Sequence, residues 1–485
     1  MGSITRRDVI IILGFLIAGT TGVSRAADKS LETALSEVLS SSTVRQSTVS
    51  LQIVEMSSGK VVGSRDASRT VVPASNMKLF TTAAGLDLLT PSFEFRTTLS
   101  IRGEVDSTGV LRGDVRITGR GDPTIGTRFH DGNATRVIEE WVDALATEGI
   151  HTIDGNVILE YGYFDDEWVH PTWPEDQLVH WYEAPVAALV IEEGCVTVRV
   201  SPAEPGGTAR VEMIPANSLV RIENSCKTSS RGRGIVVARK NGENSIVVTG
   251  NIKPGAWTFE TPVSVVFPVH FFANVVEETF EREGLTVTGK TLLVARDGRS
   301  GWRTVTEHRT PLTLVTYVIN KKSQNHYAEQ LIKTVGAEKY SEGSWTAGTL
   351  AVARWAHDAV GIPTEQLRQV DGSGMSRDNR VSADAFVRLL RYMWNSPNRW
   401  TFVSSLPYTG EQDSKLRRRL GTAPYARNVY AKTGYLRGAI GLTGYVRATS
   451  GKIYAFSLLF NGYKTTPSNV YRVQDEILKT VVDKG

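Results

Sequence analysis

The sequence predicts a multidomain α/β and β fold. One domain is built from both ends of the chain, with an antiparallel sheet between helices, and a β-rich insertion lies between those ends. Three observations predict it. The chain has 485 residues, more than one ordinary domain uses. Strand patterns around a Ser-Gly-Lys turn occur near both ends, at 58–60 and 450–452, with helical patterns between them. From about Ser92 the texture changes to short alternating runs broken by Gly, Pro and Asn, and helical spacing returns only near Pro311. An apolar fraction of 41% and a charged fraction of 22% are globular values.

The elements follow in order. Residues 1–26 read as an export leader: Arg6 and Arg7, an apolar run from Val9 to Ile17, then Ser24 and Ala26 at small-x-small spacing before cleavage. Paired arginines after a threonine fit a twin-arginine signal. An uncleaved anchor is the alternative, although the run is short for a bilayer span. A helix follows at about Ser30 to Leu39, then a hairpin in STVSLQIVEMSSGKVVGSRD. PASNMKLFTTAAGLDLL is a mostly apolar helix ended by Thr90-Pro91. The strand-rich region holds one clear helical pattern, TRVIEEWVDALATEG. Helices resume in TLVTYVINKKSQNHYAEQLIKTVG and SADAFVRLLRYMWNS, and a hairpin and SNVYRVQDEILKTVV close the chain. The expected segments are 27–92 and 305–485 for the domain formed by both ends, and 93–304 for an insertion of two small domains.

A net charge of +4 and only short basic runs, RGRG and LRRRL, give no electrostatic support for binding nucleic acid. Cys195 and Cys226 are a disulfide candidate in an exported chain. Two thiols are not a metal site, and eight scattered histidines do not complete one. His326 reads as a surface histidine beside a helix start.

Three short elements carry chemistry. Ser75 and Lys78, at i and i+3, share one face near a helix N-terminus, where backbone N–H groups favour developing negative charge. A serine there can act as nucleophile if its lysine is neutral, which burial or a second cation would bring about. In NKKSQNHYAEQ, Ser323 and Asn325 can face one cleft, one relaying a proton and the other holding an amide. In AKTGYL, Lys432 and Thr433 can hold a carboxylate, and Gly434 leaves room for a substrate backbone. Lys432 is also the expected second cation for Lys78. Each element alone has a bland reading: a capping serine with a surface lysine, an N-cap with a polar loop residue, a polar strand start.

S-x-x-K, S-x-N and K-T-G in that order resemble the active-site set of penicillin-recognising enzymes. The chain resembles the low-molecular-mass class C penicillin-binding proteins, the D-alanyl-D-alanine carboxypeptidase/endopeptidase family. GRGDPTIG (119–126), WYEAPVAAL (181–189), DGSGMSR (371–377) and SSLPYTG (404–410) extend the likeness over nearly the whole mature chain. The β-rich segment separating Ser75 from Ser323 resembles the inserted domains of class C.

The resemblance implies a discontinuous β-lactamase/transpeptidase-like domain that needs no metal or cofactor. Ser75 would attack the D-Ala–D-Ala carbonyl, with Lys78 as base. Ser323 and Asn325 would assist proton transfer and position the peptide. Lys432 and Thr433 would bind the terminal carboxylate. The N–H groups of Ser75 and Tyr435 would form the oxyanion hole. Asp371, Ser373 and Gly374 would shape the cleft, unless DGSG is only a structural turn, and Asp176 would meet the charged end of the stem peptide. Peptidoglycan peptides are the implied partners and β-lactams the covalent inhibitors. Location would be periplasmic, with peripheral membrane association and oligomeric state left open. The chain departs from the family in GEQDSKLRRRL, at Asp413-Ser414-Lys415, and at Glu192-Glu193-Gly194-Cys195. Gln324 stands where Asp is common, and its side chain is expected to point away from the cleft. A β-lactamase is disfavoured because no E-x-x-x-N element follows Ser75 closely. A non-catalytic peptidoglycan-binding scaffold would leave three intact motifs unexplained.

Overall fold

The computed structural model describes residues 25–240 and 242–485, with side chains from Leu31 onward. The twin-arginine expectation, and the leader expectation apart from its last two residues, fall on residues 1–24, which lie outside the described residues. Two compact units result.

The unit formed by both ends is described over residues 25–93 and 311–485. Its sheet has five antiparallel strands in the order Val429–Leu436, Ala439–Arg447, Ile453–Asn461, Thr48–Glu55 and Val61–Arg65. Strand periodicity sends alternate side chains to opposite faces. Val49, Leu51 and Ile53, with Phe456, Leu458 and Phe460, share a core with Leu31 and Leu35 of the first helix and Val470, Ile477 and Val481 of the last. The intervening Ser50 and Gln52 face the other way. Ser50 Oγ accepts from Ala383 N at 2.8 Å and Gln52 Nε2 donates to Asp384 Oδ1 at 3.3 Å, which ties that face to helix Ala383–Asn395.

The Ser75 segment does not begin as an α-helix. It is a 3₁₀ turn, Ala74–Met77, leading into helix Lys78–Leu88. Residues Lys78 to Leu86 are all buried. Phe80 packs on Phe386 with ring centroids 5.2 Å apart. Leu79, Phe80 and Leu86 contribute about 2 kcal/mol each through burial. At Gly85 a Cβ would lie 3.0 Å from Leu331 Cδ2, so the lack of a side chain lets helix Asn325–Tyr340 come close.

The inserted unit, residues 94–310, carries a seven-stranded mixed sheet and smaller sheets of three and four strands. One contiguous core runs through them, from Leu99 and Val115 to Val198, Val248 and Phe272. Helix Arg136–Thr147 is joined by a second helix, Pro268–Arg282, and Trp141 and Phe272 meet between them at 6.3 Å. The sequence reading missed the second helix. Its run VSVVFPVHFFANVV is β-branched and aromatic, which reads as strand, although Pro268 opens it as a first-turn proline should.

The disulfide candidate is corrected: Cys195 and Cys226 are both buried free thiols. Cys195 opens strand Cys195–Ser201, opposite Ser264, with its Sγ 3.7 Å from Glu193 O. Cys226 sits between two other strands, its N–H on Asn224 Oδ1 and its carbonyl accepting from Ala209 N. Each is fixed by its own backbone ladder. Among the described residues, no helix is long and apolar enough to cross a membrane.

Candidate active site

Ser75 sits on the 3₁₀ turn just after Ala74, whose φ is +50°, a left-handed conformation costing about 1–3 kcal/mol. Ser323, before helix Asn325–Tyr340, also has a positive φ, +59°. The hydroxyl-bearing residues of two motifs therefore sit on or beside strained backbone. Both are only half-buried, whereas the lysines that meet them are buried completely or nearly so.

Lys78 Nζ has three close partners: Asn325 Oδ1 at 2.7 Å, Ser373 O at 2.8 Å and Ser75 Oγ at 3.1 Å. Two are carbonyl oxygens that can only accept. A neutral amine has two N–H bonds and one lone pair, so the carbonyls take the hydrogens and the lone pair is left for the Ser75 hydroxyl. Burial disfavours the ammonium and draws the Lys78 pKa down to about 7, against the opposing charges of Glu329 and Asp371.

Lys432 Nζ donates to Ser323 Oγ at 2.7 Å and to Thr433 O at 3.0 Å. Burial first, then the charges of Lys78 and Lys415, hold its pKa well below the ordinary lysine value. Burial is the largest cause of the lowered Lys78 pKa, and the mutual repulsion of Lys78 and Lys432 disfavours both amines being charged at once.

Thr433 is half-buried and Tyr435 exposed on strand Val429–Leu436, which is an edge of the sheet. Residues Pro407 to Thr409 cover that edge as far as Ala431, through Ala431 N to Pro407 O at 2.8 Å and the Tyr408–Tyr430 bridge. Gly434 has a use beyond the one expected. A Cβ there would lie 2.4 Å from Asn76 Nδ2, 2.8 Å from Pro73 O and 3.1 Å from Ser75 N. Its partner across the ladder, Gly441, would place a Cβ 2.2 Å from the same Asn76 Nδ2. The two glycines form a flat patch against which the Ser75 turn presses, and Asn76 pins the turn by donating to Pro73 O at 3.0 Å.

Asp371 organises its own loop. Its carboxylate accepts from Gly374 N at 2.8 Å, Ser376 N at 2.6 Å and Asn379 Nδ2 at 2.8 Å. Ser373 offers its carbonyl to Lys78, and Gly374 (φ +82°) lies against Ala74 O, 2.0 Å from where its Cβ would be. Sequence reasoning missed Glu329. This buried carboxylate accepts from Gly372 N and Ser373 N, each at 2.7 Å, and from Trp345 Nε1 at 2.8 Å. Burial raises its pKa. The available signal was its position four residues after Asn325, on the same helix face. Gln324 is the helix cap, its Oε1 accepting from His326 N at 3.3 Å. His326 is buried, correcting the surface reading.

Within this unit the fold brings together Ser75, Lys78, Ser323, Asn325, Asp371, Ser373, Gly374, Lys432, Thr433 and Gly434, with Tyr435 next on the edge strand. Asp176 belongs to the inserted unit, exposed on the turn Glu175–Gln177.

A serine and a lysine on one turn, facing S-x-N and K-T-G elements beside an antiparallel sheet, define a penicillin-recognising serine hydrolase. The chain belongs to the D-Ala-D-Ala carboxypeptidase 3 (S13) family, which it matches over residues 31–481. It is a serine-type penicillin-binding peptidase. A D-alanyl-D-alanine carboxypeptidase of Actinomadura sp. (strain R39) is 33% identical over 427 residues, 85% of this chain and 77% of the relative. D-alanyl-D-alanine carboxypeptidase DacB of Haemophilus influenzae is 26% identical, covering 84% of each chain. The crystal structure of penicillin binding protein 4 (dacB) from Haemophilus influenzae shares the fold, with a TM-score of 0.76, 23% identity, and coverage of 93% of this chain and 97% of that one.

Proposed function

We propose that Ser75 is the nucleophile that cleaves D-alanyl-D-alanine in peptidoglycan stem peptides, with Lys78 as its base. The observation that carries this reading is the Lys78 amine: buried, drawn to about 7, and left with one free direction, toward Ser75 Oγ at 3.1 Å. The Ser75 proton passes to Nζ as Oγ attacks the carbonyl carbon. The tetrahedral oxyanion is met by the N–H groups of Ser75 and Tyr435. Collapse breaks the peptide bond, and the departing D-alanine nitrogen takes a proton by way of Lys78 or Ser323. Water then hydrolyses the ester on Ser75 and restores the hydroxyl.

The edge strand opens beyond Ala431, so an extended peptide can lie along it in the manner of an added strand. Lys432 and Thr433 would take its terminal carboxylate and Asn325 its amide. Cleavage of D-alanyl-diamino acid cross-links uses the same groups on a branched substrate. A β-lactam presents a strained amide to the same serine, and a β-lactam complex of the Haemophilus protein supports this reading. Substrate of this kind places the working enzyme outside the cytoplasm, after removal of residues 1–26. Peripheral contact with the membrane is compatible with that location.

The test is intact mass after mixing with benzylpenicillin, beside Ser75→Ala. The wild type is expected to gain one acyl group on the peptide containing Ser75, and the variant none. An adduct on the variant, or none on either protein, would overturn the assignment.

A further inference from the structure

Trp257, in the inserted unit, is 95% exposed, while most tryptophan surface in folded chains is covered. It is held out by a turn that Ala256 N closes onto Lys253 O at 3.1 Å, with Gly255 at φ +70°. Phe259, two residues on, is 39% exposed.

Cations surround it. The RGRG run, which plays no part in the catalytic site, forms an exposed loop at the end of strand Ser245–Ile252. Ser229 N bonds to Ile252 O at 2.8 Å and Asn251 N to Gly234 O at 3.0 Å, which fixes Arg231 and Arg233 beside the Lys253–Trp257 turn. Strand residue Lys227 bridges to Thr208. Arg210 is paired across the ladder with Ser201, whose Oγ lies 2.9 Å from Thr258 Oγ1. Arg210, Lys227, Arg231, Arg233 and Lys253 are all exposed, and among the described residues none has an ion-pair partner. Glu204 is the one carboxylate on the adjoining loop at 202–207, and nearby Glu260 is already paired with Arg199.

We infer that this tip of the inserted unit is a docking surface for an anionic phospholipid bilayer. A soluble polyanion would explain the cations but gives an indole nothing to enter. A neutral glycan would stack on the indole but has no use for five unpaired cations. The headgroup region of an anionic bilayer accepts both, with the indole at the interface and the cations among the phosphates. Trp257 supplies the apolar anchor, and the cations supply attraction that salt weakens.

The test is co-sedimentation of the exported protein with phosphatidylglycerol/phosphatidylethanolamine vesicles at low salt, with phosphatidylcholine vesicles as control. Trp257→Ala and the triple variant Arg231→Ser/Arg233→Ser/Lys253→Ser run alongside. The wild type is expected to pellet with the anionic vesicles only. Affinity should fall about fivefold for each cation removed and by a similar factor for Trp257→Ala. Brominated lipid should quench fluorescence in the wild type and not in Trp257→Ala. Unchanged thermal midpoints show that the variants are folded, and Trp257→Ser stands in should the alanine variant be unstable. Failure of the wild type to pellet, or variants that bind as it does, would overturn the inference. Loss of binding in the charge variant with Trp257→Ala unaffected would also overturn it, in favour of a polyanion site. Benzylpenicillin acylation of Ser75, measured on the same samples, reads out the catalytic assignment separately.

Discussion

At the scale of single residues, the proposed activation of Ser75 depends on one amine being neutral and aimed. The ordinary lysine ammonium binds three acceptors. Here two carbonyls and one hydroxyl surround Nζ; the hydroxyl can accept from the ammonium or donate to the neutral amine, and burial favours the neutral form. Glu329 acts on Lys78 in two opposed ways. Its carboxylate fixes the loop whose Ser373 carbonyl meets Nζ, and its charge pulls the Lys78 pKa up. Glu329→Gln removes the charge, so the midpoint of acylation against pH should move to lower pH. It also turns an amide toward three donors, so stability should fall by about 1–3 kcal/mol, measured by denaturant unfolding. A midpoint that stays in place would mean that Glu329 is structural only. The candidate residues of the site were legible in the sequence because hydroxyl, amine and amide recur at fixed short spacings. Glu329 was not, because its meaning depends on the 371–374 loop closing over its helix, a contact between distant stretches of chain.

At the scale of elements, the Ser75 turn is held by what faces it. Gly434 and Gly441 leave a gap that Asn76 fills, and the close backbone approach puts Ser75 beside the K-T-G strand. Gly434→Ala cannot be absorbed by a flexible side chain alone, since Pro73 O stands 2.8 Å from the new Cβ. The turn must shift, and a displacement approaching 1 Å should slow benzylpenicillin acylation about 100-fold while the chain stays folded. A rate within threefold of wild type would show that the contact is not tight. The sheet was readable from its Ser-Gly-Lys hairpins and alternation. Helix Pro268–Arg282 was not, because its β-branched and aromatic residues are chosen for a shared core rather than for helix propensity. The cysteines carry a separate prediction. Alkylation in denaturant without reductant should add two groups, one each on Cys195 and Cys226, and the native protein should resist the reagent because both thiols are buried. No addition in denaturant would show that a disulfide forms after all.

At the scale of the whole molecule, the sequence predicted its fold class for a physical reason. Alternation and turn residues report strands wherever one face is buried, and a domain built from both chain ends leaves matching hairpins at each end. The candidate site comes from four separated stretches, near 75, 325, 373 and 432, that the folded unit brings together. The proposed activation of Ser75 rests on a buried Lys78 whose pKa is drawn to about 7. The most direct measurement is the second-order rate of benzylpenicillin acylation from pH 5.5 to 9.5. Protonation disables the base, so the rate should fall about tenfold per pH unit below a midpoint near 7 and level off above it. A rate that is flat across the range, or that climbs without levelling toward the ordinary lysine pKa, would contradict the account.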